Sequence, residues 1–268
     1  MTTTVTKRTK RKSRYIVDTV GIVKKMIRET HNTQTLRIVT PSLPEEKAPF
    51  RFKPGQFVMV RPVIEKLGKV IPRAYSISSS PTHSMTNEGY FDLTVRQTEE
   101  PTVSKWLNDR EVGDEIPFRG PYGNFVWEPG NPKSEQLFMF GGGSGITPLK
   151  CMLEYIHDQQ LPNKVSLFYS CRTQKDIIFK QELPELIKGA KNAKLVITLT
   201  RESENSEWTG SRGRFSLEDI NRIINKENFE LTKTTFYLCG TPSFVSGMIS
   251  FLYDIGASKE QIKKERWN

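Results

Sequence analysis

The stretch from Leu137 to Pro148, Leu-Phe-Met-Phe-Gly-Gly-Gly-Ser-Gly-Ile-Thr-Pro, constrains this chain more than any other. Four apolar residues predict a short buried strand, and the glycines end it. Ile146, Leu149, Met152, Leu153 and Ile156 then recur at helical spacing, so a helix follows. Pro148 suits a first helical turn, where a backbone N–H has no partner in any case. Strand, glycine turn and helix N-terminus together make an anion site, because free N–H groups and the positive end of the helix dipole face the incoming charge. Glycine admits a phosphate to backbone that any Cβ would shield. Ile146 stands where a G-x-G-x-x-G fingerprint needs its third glycine, and no Lys-Ser/Thr follows for a triphosphate loop. Taken alone, the stretch is equally a plain glycine-rich turn between a strand and a helix.

A length of 268 residues favours two domains. No apolar run approaches the ~18 residues of a membrane span. Cys151, Cys171 and Cys239 lie far apart, without a C-x-x-C pair. Three thiolates are also too few for a four-cysteine iron–sulfur cluster. A reducing, cytoplasmic compartment is the expectation. His31, His83 and His157 lack metal-ligand spacing, so no metal is expected.

The net charge of +10 is unevenly placed, since residues 1–14 carry six lysines and arginines and no acid, leaving +4 for the rest. With its threonines and almost nothing apolar, this segment predicts a disordered basic tail. It has no apolar core of a signal peptide. It reads first as a solubilising tail and next as a contact for an acidic partner or a phosphate backbone.

From residue 15 to 128 the chain reads as short strands between turns. Leu36 and Ile38 alternate with polar neighbours, as do Phe91, Leu93 and Val95. Ten prolines between 41 and 121 argue against long helices there. One short helix is expected over 103–108, with Thr102 as its N-cap. Such spacing predicts a closed antiparallel barrel. After the linker-like Glu128-Pro-Gly-Asn-Pro132, the character changes. Apolar strands are expected at 137–140, 165–169, 195–199 and 235–239, with helices at 179–187 and 217–224 and another after the last strand. Alternation of this kind predicts a parallel sheet covered on both faces over residues 133–268.

Arg73-Ala74-Tyr75-Ser76 falls in a barrel strand, and its chemistry suits a flavin. Arginine can grip a diphosphate with two donors, and tyrosine offers a flat face with a hydroxyl. A serine hydroxyl can exchange a hydrogen bond with a ring nitrogen. Four such residues are also compatible with an edge strand carrying a solvated arginine and a core tyrosine.

The order of motifs then resembles the ferredoxin–NADP⁺ reductase superfamily. Arg73–Ser76 is similar to its R-x-Y-S flavin motif, and Gly120-Pro-Tyr-Gly-Asn-Phe125 to its G-P-x-G turn. Gly141–Pro148 is similar to its G-G-G-x-G-I-x-P loop, and Cys239-Gly240-Thr-Pro242 to its C-G-x-P. The resemblance covers about residues 15 to 268. It implies a flavin-binding Greek-key β-barrel followed by an α/β parallel-sheet domain for the nicotinamide, with the active site between them. Arg73 would hold the flavin diphosphate, Tyr75 would stack on the ring and Ser76 would reach N5. The family's G-x-x-S phosphate turn falls on Pro101-Thr102-Val103-Ser104, where Pro101 replaces its glycine. The three N–H groups of Thr102, Val103 and Ser104 remain for phosphate, with FAD favoured over FMN.

Gly142, Gly143, Gly145 and Thr147 would line the nicotinamide diphosphate, and Cys239, followed by Gly240, would lie beside the nicotinamide ring. Many members end in an aromatic that covers the flavin, with a glutamate close before it, which points to Trp267 and Glu265. The resemblance implies hydride transfer from NAD(P)H to flavin N5, then single-electron transfer to a separate acidic carrier such as ferredoxin. A reductase component of an oxygenase or haem system is the alternative. The tail also raises nucleic-acid binding, but the rest of the chain has no recognised binding motif.

NADPH is expected over NADH from two strand ends. In parallel nucleotide folds the adenosine ribose lies outside the carboxyl ends of strands beside the diphosphate loop. Those ends read Ser170-Cys-Arg172 and Leu199-Thr200-Arg201, with no acid at either tip, although Glu202 follows. Arg172 and Arg201 can pair with a ribose phosphate.

Overall fold

In the computed structural model of this chain, the residues described are 16–40, 49–64, 68–86, 89–98, 102–226 and 229–267. The basic tail and Pro101 lie outside them.

Alternating runs in the first half pair as a six-stranded antiparallel sheet. Its chain order is β1 (Val17–Thr30), β2 (Thr33–Val39), β3 (Phe57–Val60), a small hairpin of β4 (Val63–Ile64) and β5 (Lys69–Val70), and β6 (Arg73–Ser76). The turn-like α1 (Pro81–Ser84), β7 (Tyr90–Arg96), α2 (Val103–Asn108) and β8 (Glu115–Tyr122) complete it. The spatial order is β6-β3-β8-β1-β2-β7. A bridge from Ile77, just beyond β6, to Leu93 of β7 brings the two edges together and nearly closes the barrel. Leu36, Ile38, Val58, Phe91, Leu93 and Phe118 fill its interior. Helix α2 covers 103–108 as expected. Thr102 takes the N-cap position, but its side chain makes no capping hydrogen bond.

The second half alternates strand and helix: β9 (Gln136–Gly142), α3 (Ile146–Asp158), β10 (Lys164–Cys171), α4 (Glu182–Gly189), β11 (Ala193–Leu199), β12 (Ser211–Arg212), α5 (Leu217–Lys226), β13 (Thr234–Gly240), α6 (Pro242–Asp254) and β14 (Ile262–Arg266). These strands form one parallel sheet in the order β12-β11-β10-β9-β13-β14. Both faces are covered, which explains the uninterrupted apolar runs. In β9, Leu137 and Met139 pack under α3 and α4, while Phe138 and Phe140 face α5 and α6.

Two elements depart from expectation. The helix expected from 179 begins at Glu182, because Phe179 takes a left-handed backbone conformation with φ 58° and cannot extend a helix. Strand β14 is the other: its sequence Ile-Lys-Lys-Glu-Arg is too charged to read as a strand, yet charge suits the exposed edge of a sheet.

Candidate active site

Barrel and parallel sheet meet along a cleft of about 1180 Å³. The barrel wall is built by β6 and the start of α2. Arg73, Ala74, Tyr75, Ser76, Thr102 and Ser104 all line it. Antiparallel pairing of β6 with β3, Phe57 to Ser76 and Val60 to Arg73, sets these side chains in alternation. Ser76 is buried and Arg73 exposed, while burial pushes the Tyr75 phenol up to about 12, so it stays protonated. Val103 is wholly buried in the barrel core, and only its backbone is suited to a ligand. The Ser104 hydroxyl lies 2.9 Å from that of Thr98.

The opposite wall comes from the carboxyl ends of β9, β10 and β13. Gly142, Gly143, Thr147, Arg172, Gly240 and Trp267 face the cleft. The glycine stretch is the end of β9, one tight turn over Gly143–Gly145 and then α3. Gly143 has φ 55°, a conformation that glycine adopts at little cost. Gly145 has another reason to be glycine: a Cβ there would stand 2.1 Å from the Cys239 carbonyl oxygen. The turn therefore packs directly on the end of β13. The Thr147 hydroxyl donates to the Ser144 carbonyl at 3.0 Å, which locks the first turn of α3.

The C-terminal strand completes the site. Glu265 of β14 pairs in register with Cys239 of β13. Ser76 donates to the Glu265 carboxylate at 3.5 Å, across the boundary between barrel and sheet. Burial pushes this carboxyl up to about 7, only partly offset by the serine. The Trp267 indole N–H donates to the Cys239 sulfur at 2.8 Å, and its backbone N–H donates to the Gly240 carbonyl at 3.0 Å. Cys239 is fully buried and its thiol is held well above its ordinary value by desolvation, so it remains protonated. Ser76, Glu265, Cys239 and Trp267, spread from position 76 to position 267, thus form one connected corner.

Arg201 lies outside the cleft lining; its backbone N–H donates to the Arg172 carbonyl at 2.8 Å. Glu202 reaches back instead, and its carboxylate accepts the Gln174 N–H at 2.7 Å. Arg96 was missed by sequence reasoning. It ends β7 opposite the glycine turn, where a Cβ on Gly143 would sit 3.6 Å from its guanidinium. Thr94, Asp176, Ile178 and Phe244 also line the cleft. A solitary arginine at a strand end carries no signal in sequence until the facing loop is known.

The residues present fit a dinucleotide flavin and a pyridine nucleotide. One wall offers Arg73 and the backbone at the start of α2, the other Gly142, Gly143 and Ser144 just before the positive end of α3.

The chain matches the family described as oxidoreductase FAD-binding domain over residues 21–127 and that described as oxidoreductase NAD-binding domain over residues 139–249. It is 33% identical over 245 residues to a glycine betaine monooxygenase reductase subunit of Chromohalobacter salexigens, matching 90% of this chain and 62% of that protein. It is 30% identical over 234 residues to an NADH-cytochrome b5 reductase 1 of Eremothecium gossypii, matching 86% of this chain and 76% of the other. Thus the chain spans about three fifths of the length of the first of these relatives. Among solved structures, a ferredoxin NADP⁺ reductase from Neisseria gonorrhoeae with bound FAD and NADP has the same fold. Its TM-score is 0.74 at 24% identity, covering 92% of this chain and 98% of the other.

Proposed function

Since this chain belongs to the ferredoxin–NADP⁺ reductase superfamily as an FAD- and NAD-binding oxidoreductase, we propose that it passes electrons from a reduced pyridine nucleotide to a separate one-electron carrier. The observation that carries this reading is the cleft joining the Arg73–Ser76 strand to Gly142, Gly143 and Ser144 of the turn, with Gly145 buried behind them against β13. Flavin, when bound, supplies the redox chemistry, accepting electrons as a pair and releasing them singly. The protein supplies position and electrostatics. Arg73 and the amides at the start of α2 would hold the flavin diphosphate, and Tyr75 would back its ring. Ser76 would present its hydroxyl to the reacting edge, with Glu265 as its alternative partner. The glycine turn and Arg96 would hold the coenzyme diphosphate. Trp267, tethered to Cys239, would cover the ring and exclude water until the nicotinamide displaces it.

An acidic carrier such as ferredoxin is the favoured acceptor, on the charge of the chain. The reductase-component reading is supported by the monooxygenase reductase relatives, whose partners are oxygenases by name. Three buried free cysteines suit a cytoplasmic setting. NADPH is the favoured coenzyme because Arg172 is exposed on the cleft. The NADH reading is favoured by Asp176 in the same wall and Glu202 beside it. Anaerobic reduction by each coenzyme, followed by titration with ferredoxin or an oxygenase component, tests the whole reading. Arg172→Ala should weaken NADPH on the order of tenfold and leave NADH nearly unchanged. Equal losses for both would assign Arg172 to the shared diphosphate, and a wild-type preference for NADH would remove the NADPH assignment.

A further inference from the structure

Strand β1 is irregular at one place that faces the other domain. Arg28 pairs with Gln34 and Thr30 with Thr33, so an extra residue, Glu29, is accommodated in a β-bulge. A bulge re-aims its side chain out of the normal alternation. Here the Glu29 carboxylate reaches the segment between β10 and α4, where one oxygen accepts the Phe179 N–H at 3.1 Å. Its other oxygen accepts the Thr35 hydroxyl at 2.6 Å. Thr35 lies 2.8 Å from the Thr94 hydroxyl, and Thr94 lines the cleft on the barrel side. With the carboxylate as terminal acceptor, Thr35 must donate to Glu29 and so accepts from Thr94. The chain of donors then runs one way, from the cleft wall to the domain boundary.

The receiving end is equally unusual. Phe179 is buried and left-handed, a conformation rare for an aromatic residue and retained only where the surroundings impose it. Just before it, the Ile178 N–H donates to the Tyr169 hydroxyl at 3.2 Å. Immediately after it, the Phe179 carbonyl accepts the Leu183 N–H and starts α4. The segment 172–178 that this pair of anchors ends carries Arg172, Asp176 and Ile178, all on the cleft. One anchor is internal to the parallel-sheet domain, while the other comes from the barrel.

We propose that Glu29 is a positioning residue, which clamps the Arg172–Ile178 segment of the coenzyme wall to the barrel through the Phe179 amide. The clamp makes the geometry of the coenzyme wall depend on the seating of one domain against the other. It rests on the reading of that wall as the coenzyme side of the cleft.

The test uses the full chain with flavin bound. Glu29→Ala removes the acceptor. Glu29→Gln keeps an oxygen for the amide and turns its NH2 toward Thr35. Hydrogen–deuterium exchange of a peptide spanning 172–180 should rise on the order of tenfold in Glu29→Ala and stay near wild type in Glu29→Gln. Equilibrium binding of NADP⁺ should weaken by a similar factor in Glu29→Ala, while the limiting rate of flavin reduction is kept. In an Arg172→Ala background the penalty of Glu29→Ala on binding should shrink, because the group it positions is gone. If Glu29→Ala is poorly folded, Thr35→Val supplies a second route, since it loosens the carboxylate and should raise exchange over the same peptide. Unchanged exchange in Glu29→Ala, an equal effect of Glu29→Gln, or additive penalties with Arg172→Ala would each overturn the clamp. Failure of Arg172→Ala alone to affect coenzyme binding would instead refute the reading of the wall, leaving the exchange result to judge the clamp.

Discussion

Glu265, with Ser76 as its partner, shows how the fold changes the chemistry of a single residue. A buried carboxyl whose best partner is a hydroxyl at 3.5 Å favours its neutral form. Its pKa is raised to about 7 from 4.5, so its stabilising effect is complete below 4.5 and is lost as pH rises through 7. Glu265→Gln should therefore match wild type in acid and become the more stable protein above neutrality, by on the order of 2–3 kcal/mol. Paired denaturant titrations at several pH values check this, and an unchanging difference would show that the carboxyl is not destabilised by burial. Ser76→Ala should retain flavin but slow its reduction on the order of tenfold, equivalent to ~1.4 kcal/mol of transition-state stabilisation. Single-turnover reduction at the wild-type rate would remove Ser76 from the mechanism.

At the scale of elements, the glycine turn is shaped by what lies behind it. Gly143 answers to a backbone angle, whereas Gly145 answers to the close approach of β13. A methyl group 2.1 Å from the Cys239 carbonyl cannot be absorbed by rotamer changes, because the obstructing atom is backbone. Gly145→Ala should lower stability by about 1–3 kcal/mol and disturb both coenzyme binding and the Trp267–Cys239 contact. Thermal unfolding together with tryptophan fluorescence would check it. A variant of unchanged stability and coenzyme affinity would mean that the turn and β13 separate freely.

For the whole molecule, the seam behind the cleft is polar. On the barrel side, the Ser80 N–H donates to Glu154 at 2.6 Å, the Thr82 hydroxyl donates to Asp158, and His83 Nε2 lies 3.4 Å from Glu154. On the sheet side, Lys150 is nearly buried and pairs with Glu154 at 3.0 Å and Glu182 at 3.1 Å. Glu154 is held down at about 2, its burial outweighed by His83 and Lys150. The His83 pKa is raised by its bond to Glu154, with Asp158 assisting and burial and Lys150 opposing. Its contribution is therefore complete below 6.5 and lost as pH rises through the folded value. Domain association should loosen on the alkaline side, and His83→Gln should flatten that dependence. Interdomain proteolysis or scattering between pH 6 and 9 would report it, and a seam equally tight in both proteins would assign His83 no part.

The sequence alone determined the architecture and most of the cleft. Alternation, proline spacing and apolar runs depend on local periodicity, so the barrel and the parallel sheet were legible, while the meeting of the Arg73–Ser76 strand with the glycine turn was implied by the family resemblance alone. The C-G-x-P motif of the resembled family pointed to Cys239, and its C-terminal aromatic with a preceding glutamate pointed to Trp267 and Glu265. Only the tertiary structure decided how those residues meet: the Trp267 bond to Cys239, the Ser76 bond to Glu265, and the exclusion of Arg201 from a wall that holds Arg172. It alone revealed β14, Arg96 and the bulged Glu29 beneath Phe179. Each depends on contacts between residues tens to hundreds of positions apart, and on backbone conformations that tertiary packing imposes against local preference.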